Sequence, residues 1–279
     1  MHDYQPVKLP PLSGWALILG ASSGFGAATA LMLARAGVDI VGVHLDRRAG
    51  LAEVARLSSE IRSHGREAWF YNGNAGDAEF RERVLGELRT RFAERGRGEQ
   101  VRVVLHSLAF GSLSRYFGRA SEDWVTRKQL DMTCDVMAHS LVYWVQDLLR
   151  RDLLSAEGRI FAMTSTGSER VWDGYGAVSA AKAALESHVR QIARELGPRG
   201  ISANAICAGV TDTPAARKIP CWPTMSRAAQ AQNPHKRLTR PEDVAATLVA
   251  LAQPCTYWLT GNTIYVDGGE GHCGPETFL

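Results

Sequence analysis

Trp15-Ala16-Leu17-Ile18-Leu19-Gly20-Ala21-Ser22-Ser23-Gly24-Phe25-Gly26, running on into the Ala- and Leu-rich residues 27–36, is the stretch on which the fold turns. Five apolar residues stopped by a glycine read as a buried strand. Residues 27–36 read as a helix closed by Gly37. Between them lies a turn with three glycines, which permit a tight reversal and close backbone approach. The helix N-terminus behind the turn offers free N–H groups and a positive dipole end to an anion such as a pyrophosphate. Gly20, Ser22, Ser23, Gly24, Phe25 and Gly26 are therefore candidate binding residues for a phosphate-bearing cofactor.

The same alternation continues outward from this unit. Strands are predicted over 38–43, 68–71, 101–105, 159–163, 201–206 and 263–266, with helices over 51–64, 78–95, 121–151, 176–196 and 241–252. Residues 211–235 carry prolines at 214, 220, 223 and 234 and read as irregular. Strands alternating with helices mean βαβ units, and right-handed crossovers then give a doubly wound parallel sheet. The expectation is a single α/β domain with seven strands and helices on both faces. Residues 1–13 form an N-terminal extension, 211–240 a lid, and 270–279 a C-terminal tail.

Composition narrows the function classes. The 279 residues are 45% hydrophobic and 22% charged, ordinary for a globular protein, and the net charge is +3. So small and dispersed a charge does not favour nucleic acid as a partner. The basic run at 89–97 is broken by Phe92, Ala93 and Glu94 and reads as a solvated helix end. Five cysteines, an odd number with no C-x-x-C pair, argue against a disulfide framework and a zinc site and favour a reducing compartment. No stretch resembles a signal peptide or approaches the roughly 20 apolar residues of a membrane span. A cytoplasmic protein is expected.

The turn has G-x3-G-x-G spacing and resembles that of the short-chain dehydrogenase/reductase family, with Leu19 in place of the usual Thr. The resemblance covers about 15–269 and implies a Rossmann-type fold binding a nicotinamide cofactor. The end of the second strand reads His44-Leu45-Asp46-Arg47-Arg48. An acidic residue there suits a ribose diol and basic residues a 2′-phosphate. Arg47 and Arg48 tilt the expectation to NADPH, with NADH as the other option. Asn74 and Ala75 fall where the family contacts adenine.

Lys182 lies in Ser179-Ala180-Ala181-Lys182-Ala183-Ala184-Leu185-Glu186, a segment similar to the family's catalytic helix. Family members commonly place Tyr four residues before this Lys, and a Ser thirteen before that Tyr. Here the Tyr position holds Val178, Tyr175 stands seven residues before Lys182, and Ser165 occupies the Ser position. On a helix, positions four and seven apart share a face but differ by about 4.5 Å along the axis. The displacement suits a different acceptor. In reduction of a 2-enoyl thioester, hydride reaches C3 while negative charge collects on the thioester oxygen, further from the nicotinamide. Tyr-x6-Lys resembles the enoyl-acyl-carrier-protein reductases of the same superfamily.

Other segments are similar to that branch: His106-Ser107-Leu108-Ala109-Phe110-Gly111 after the fourth strand and Cys207-Ala208-Gly209 after the sixth. Thr133 stands where the family often has an Asn for a proton-relay water. The resemblance implies that Tyr175 polarises the thioester carbonyl. It also implies that Lys182 binds the nicotinamide ribose and lowers the tyrosine pKa, and that Ser165 positions substrate. Ser107, Gly209, Thr211 and Thr213 are expected to contact cofactor, with Val210 and Thr211 behind the nicotinamide.

Phe110, Ile219, Trp222 and Met225 are candidate acyl-chain contacts. Arg217, Lys218, Arg227, Lys236, Arg237 and Arg240 suit an acidic carrier protein or a coenzyme A phosphate. By the same resemblance the enzyme would be a homotetramer serving fatty acid biosynthesis. Two other readings stay open: a 3-oxoacyl or other carbonyl reductase, and a non-catalytic NAD(P)-binding sensor.

Overall fold

The computed structural model describes residues 11–96, 98–219 and 221–273. The predicted extension at 1–10, Arg97 of the basic run, Pro220 and the tail at 274–279 lie outside the described residues.

Seven strands form one parallel sheet: β1 (Trp15–Leu19), β2 (Asp39–His44), β3 (Ala68–Asn72), β4 (Val101–His106), β5 (Leu154–Thr164), β6 (Ser202–Ala208) and β7 (Thr263–Val266). Their order is β3-β2-β1-β4-β5-β6-β7. The order reverses between β1 and β4, so the loops leaving these strands diverge and open a crevice at their C-terminal ends. Leu19 pairs with both Val43 and His106, which sets the ends of β2, β1 and β4 level beside that crevice.

The pleat explains the layering. Trp15, Leu17 and Leu19 face one core, and Ala16 and Ile18 face the other. Against the first core pack α3 (Ala78–Arg95), α5 (Ser140–Arg150) and α6 (Gly176–Leu196). Against the second pack α1 (Gly24–Arg35), α2 (Leu51–Ser63) and α8 (Pro241–Leu251). With both faces covered, β1 is buried at all five positions, as a central parallel strand must be.

Two predicted segments differ from what forms. The helix expected from Ser121 begins instead with α4 (Arg127–Cys134), because Thr126 and Gln129 make a reciprocal cap. Gln129 Oε1 accepts from the Thr126 amide at 2.8 Å, and Thr126 Oγ1 accepts from the Gln129 amide at 3.3 Å. Ser121–Asp123 is only a single turn. A π-turn over Asp135–His139 joins α4 to α5, a widening of the helix that periodicity does not announce. The second difference lies in 211–235, where α7 (Trp222–Gln232) forms. Pro223 sits in its first turn, where no intrahelical donor is needed, and Pro234 follows its end. These prolines bracket a helix and do not break one.

The chain beyond β7 is not a free tail as far as it is described. Glu270–His272 makes a turn, and Arg170 donates to the Gly271 carbonyl at 2.7 Å. Among the described residues, no helix is long and apolar enough to cross a membrane.

Candidate active site

The crevice holds two adjoining cavities. The first is lined by the glycine turn from Gly20 to Phe25, by His44 to Arg47, by Asn74 and Ala75, and by Ser107 to Phe110. The second, about 280 Å³, contains Ser165, Tyr175, Val178 and Lys182, with Ile219, Trp222 and Met225 on its outer side. Phe25, Ser107 and Thr213 line both, so the cavities meet beside the turn.

The turn is built for close approach. Gly20 and Ala21 both donate to the Val43 carbonyl, at 2.8 and 2.9 Å. Gly20 has φ of +91°, and a Cβ there would stand 2.4 Å from the Ser107 carbonyl oxygen. Ser23 is the N-cap of α1 and makes no side-chain cap, which leaves the first amides of α1 for a ligand. Thr213 packs on Gly24 from the loop after β6. The donor set and the uncapped helix end fit the phosphates of a dinucleotide. Gly26 lines neither cavity; it is buried where α1 passes the turn.

Ends of neighbouring strands shape the rest of this cavity. Asn72 donates to the Asp46 carbonyl at 2.9 Å, and its side-chain oxygen accepts from the Asp46 amide at 3.0 Å. The Asp46 carboxylate meets buried His44 Nδ1 at 2.9 Å. Arg47 lines the cavity, but Arg48 does not: it starts a short turn at Arg48–Gly50 and is exposed. Trp144 of α5 donates to the Ala75 carbonyl at 2.8 Å and holds the Asn74–Ala75 loop against the sheet. Phe110, expected at the acyl chain, lines this cavity and not the second one, and it is exposed.

Tyr175 is the N-cap of α6, not a residue within it, with φ −94° and ψ 0°. The helical offset read from the sequence therefore does not hold strictly; the ring enters from the loop before the helix. Its hydroxyl lies 3.3 Å from Ser165 Oγ. Burial raises the phenol pKa, and the Ser165 contact offsets only part of that. This corrects the expectation that Lys182 lowers it. Lys182 Nζ instead donates to the Met163 carbonyl at 2.7 Å and reaches the Leu108 carbonyl at 3.5 Å. Burial pulls the ammonium down to about 8. Val178, at the family's usual Tyr position, is buried and forms part of the cavity wall.

Thr133 does not stand ready as a relay. Its hydroxyl donates to Gln129 O at 2.6 Å and accepts from the Ser112 amide at 3.0 Å. It pins the loop after β4 to α4. Thr211 likewise donates to the Gly209 carbonyl at 2.8 Å, and both residues line the Tyr175 cavity.

Two participants escape sequence reasoning. Glu270 folds back from beyond β7 to line the second cavity, and its carboxylate accepts from the Val210 amide at 3.2 Å. Its pKa is raised by burial. The Gly268-Gly269 pair, both at positive φ, was the signal for that reversal. Trp172 lines the same cavity from the loop before Tyr175. Of the basic lid residues, Arg217 pairs with Asp212 at 2.6 Å and Arg237 with Asp243 at 2.6 Å. Lys218 lines both cavities.

Comparison with known proteins identifies the family. Residues 20–270 match the family model described as enoyl-(acyl carrier protein) reductase. A 3-oxoacyl-[acyl-carrier-protein] reductase of Synechocystis is 28% identical over 91% of this chain and 95% of its own. The enoyl-[acyl-carrier-protein] reductase [NADPH] FabI of Staphylococcus aureus is 31% identical, over 60% of this chain and 63% of its own. Among solved structures, the promiscuous reductase LugOII, which carries out a keto-reduction in lugdunomycin biosynthesis, superposes with a TM-score of 0.78. It is 28% identical and covers 94% of this chain and 98% of its own.

Proposed function

Because the chain belongs to the short-chain dehydrogenase/reductase family, as the enoyl-(acyl carrier protein) reductase model describes it, and is thus an NAD(P)-dependent oxidoreductase, we propose that it reduces the C=C bond of a 2-enoyl thioester. One observation carries this reading. The tyrosine stands at the mouth of α6, seven residues before Lys182, and an apolar Val178 fills the wall where a closer donor would be. Bound in the crevice, a reduced nicotinamide supplies the hydride for C3 of the substrate.

The chain's own residues do the rest. Tyr175 Oη donates a hydrogen bond to the thioester oxygen, where the enolate charge collects until C2 takes a proton from solvent and the saturated thioester forms. A phenol whose pKa is raised remains a donor through the working pH range. Lys182 holds the ribose hydroxyls with its ammonium while two carbonyls fix its position. Ile219, Trp222 and Met225 shield the acyl chain from water, the last two lying one turn apart on α7. The thioester is delivered on an acidic carrier protein, with Lys218, which lines both cavities, and exposed Arg227 of α7 as its cationic contacts. The active form is a homotetramer in the cytoplasm, in fatty acid synthesis.

A second reading, ketone reduction, is favoured by the convergence of Ser165 and Tyr175 hydroxyls, two donors able to bind one carbonyl oxygen. NADPH oxidation with crotonyl and acetoacetyl thioesters separates the two. The expected result is turnover of the crotonyl substrate at least about tenfold faster by kcat/KM, a margin of about 1.4 kcal/mol. Faster acetoacetyl reduction rejects C=C reduction in favour of the ketone. Neither substrate stimulating oxidation points to a binding protein.

NADPH is the proposed cofactor because Arg47 lines the crevice while the nearby acidic group, Asp46, is engaged by His44. Arg47→Ala is expected to weaken NADPH about tenfold, the scale of one charge-assisted phosphate contact, and to leave NADH nearly unchanged. Fluorescence titration of both dinucleotides reads this directly. Equal losses for both would assign Arg47 a structural part only.

A further inference from the structure

Two consecutive residues at the end of β5 are gripped by side chains one helical turn apart on α6. Met163 gives its carbonyl to Lys182 Nζ at 2.7 Å, and Thr164 donates its hydroxyl to Glu186 Oε1 at 2.6 Å. The next residue is Ser165, the hydroxyl partner of Tyr175. Lys182, Thr164 and Glu186 are 5%, 6% and 8% exposed. A carboxylate this buried is costly without a cation nearby, and one hydrogen bond from a threonine does not supply that. Lys182, four residues earlier on the same helical face, does.

The other groups facing this pair come from three strands and from the helix entrance. His106 on β4 is held neutral, its pKa lowered to about 3 mainly by burial and further by Lys182. Cys207 on β6 is pushed up to about 12 mainly by burial, with Glu186 adding to it. The phenols of Tyr175 and of Tyr265 on β7 are raised, both mainly by burial. Glu186 is the carboxyl group of this set, bonded to Thr164 and one turn from Lys182 on α6. Burial acts to strip the proton from Lys182, and Glu186 acts against it.

We propose that Glu186 is a positioning residue that keeps Lys182 in the cationic form able to hold the cofactor ribose and, through Thr164, fixes the strand end presenting Ser165 to Tyr175. The proposal rests on the role given above to Lys182.

The test is NMR titration of the protein labelled with 13Cε-lysine. There are five lysines, and the Lys182 signal is identified by its loss in Lys182→Arg. Glu186→Gln keeps shape and removes charge; it is expected to lower the Lys182 midpoint by about one pH unit, the scale of a lost neighbouring charge. Thr164→Val keeps the charge and is expected to leave the midpoint in place. A folded Glu186→Asp protein, its carboxylate drawn back by one methylene, is expected to shift in the same direction by less. An unmoved midpoint in both Glu186 variants overturns the proposal. Dinucleotide affinity against pH, followed by fluorescence, is expected to fall on the alkaline side in step with the Lys182 midpoint. A midpoint that moves without the affinity following overturns the ribose-holding role of Lys182 and leaves the Glu186–Lys182 coupling standing.

Discussion

Tyr175→Phe is expected to lower kcat about 100- to 1,000-fold on the preferred thioester, the usual loss for one donor to a developing oxyanion. The ring stays, so packing at the entrance to α6 is kept. The hydroxyl goes, and with it the Ser165 contact at 3.3 Å. Two features set the size of the effect. The ring is partly buried against the core, which limits the water able to replace the phenol as donor. Ser165 is the nearest remaining hydroxyl, and its oxygen already accepts from the Gly167 amide at 3.2 Å. Its own proton stays available, so Ser165 retains part of the stabilisation. The loss should appear in kcat, with dinucleotide affinity within about twofold of the parent, since the lost interaction is made chiefly in the transition state. Single-turnover reduction, followed by NADPH absorbance, separates this from slow product release. Turnover of Tyr175→Phe within about threefold of the parent would remove Tyr175 from the chemistry. Ser165→Ala adds direction: a loss as large as that of Tyr175→Phe favours the ketone reading, in which both hydroxyls share one oxygen.

What could be read from sequence follows how local each feature is. The glycine turn is legible because strand, turn and helix are contiguous, and connection rules extend it to a doubly wound parallel sheet, whose order the structure supplies. Lys182 was legible because its helix is long and Ala-rich. For Tyr175, glycine neighbours hide whether the helix has begun, and it proves to be the cap. Its raised pKa escapes the sequence for a related reason. A sequence places Lys182 seven residues away but cannot show that carbonyls of β4 and β5 take the ammonium's hydrogen bonds. Helix α7 is hidden in the sequence because the prolines that suggest an irregular segment stand at its ends. Glu270, Thr164 and Phe110 depend on contacts between distant segments, where neither periodicity nor spacing reaches. The exchange of Phe110 from one cavity to the other is the plainest case, since a loop's direction is set by what packs beneath it.

Gly26→Ala is expected to weaken dinucleotide binding about tenfold or more and to lower Tm by ~2–10 °C, from an overpacking cost of about 1–3 kcal/mol. A Cβ at this position would lie 2.0 Å from the Gly20 carbonyl oxygen and 2.8 Å from its carbon. Both are backbone atoms, so no side chain can swing aside. Relief must come from moving either α1 or the turn. Helix α1 is held by buried Thr29, Ala30 and Leu33 and packs closely on α8. The turn is tied by two amides to Val43 and already touches the Ser107 carbonyl side of the crevice. Neither yields freely, and the displacement falls on the segment between them, Ser22 to Phe25, whose amides face the crevice. Affinity should therefore fall alongside stability, with Tyr175 and Lys182 left in place. Saturating dinucleotide should restore most of kcat, because the reacting groups are not moved. A fluorescence titration with a melting curve tests the pair of effects. If Tm falls while affinity stays within twofold, strain has gone into α1, and the turn is not the part that the third glycine protects.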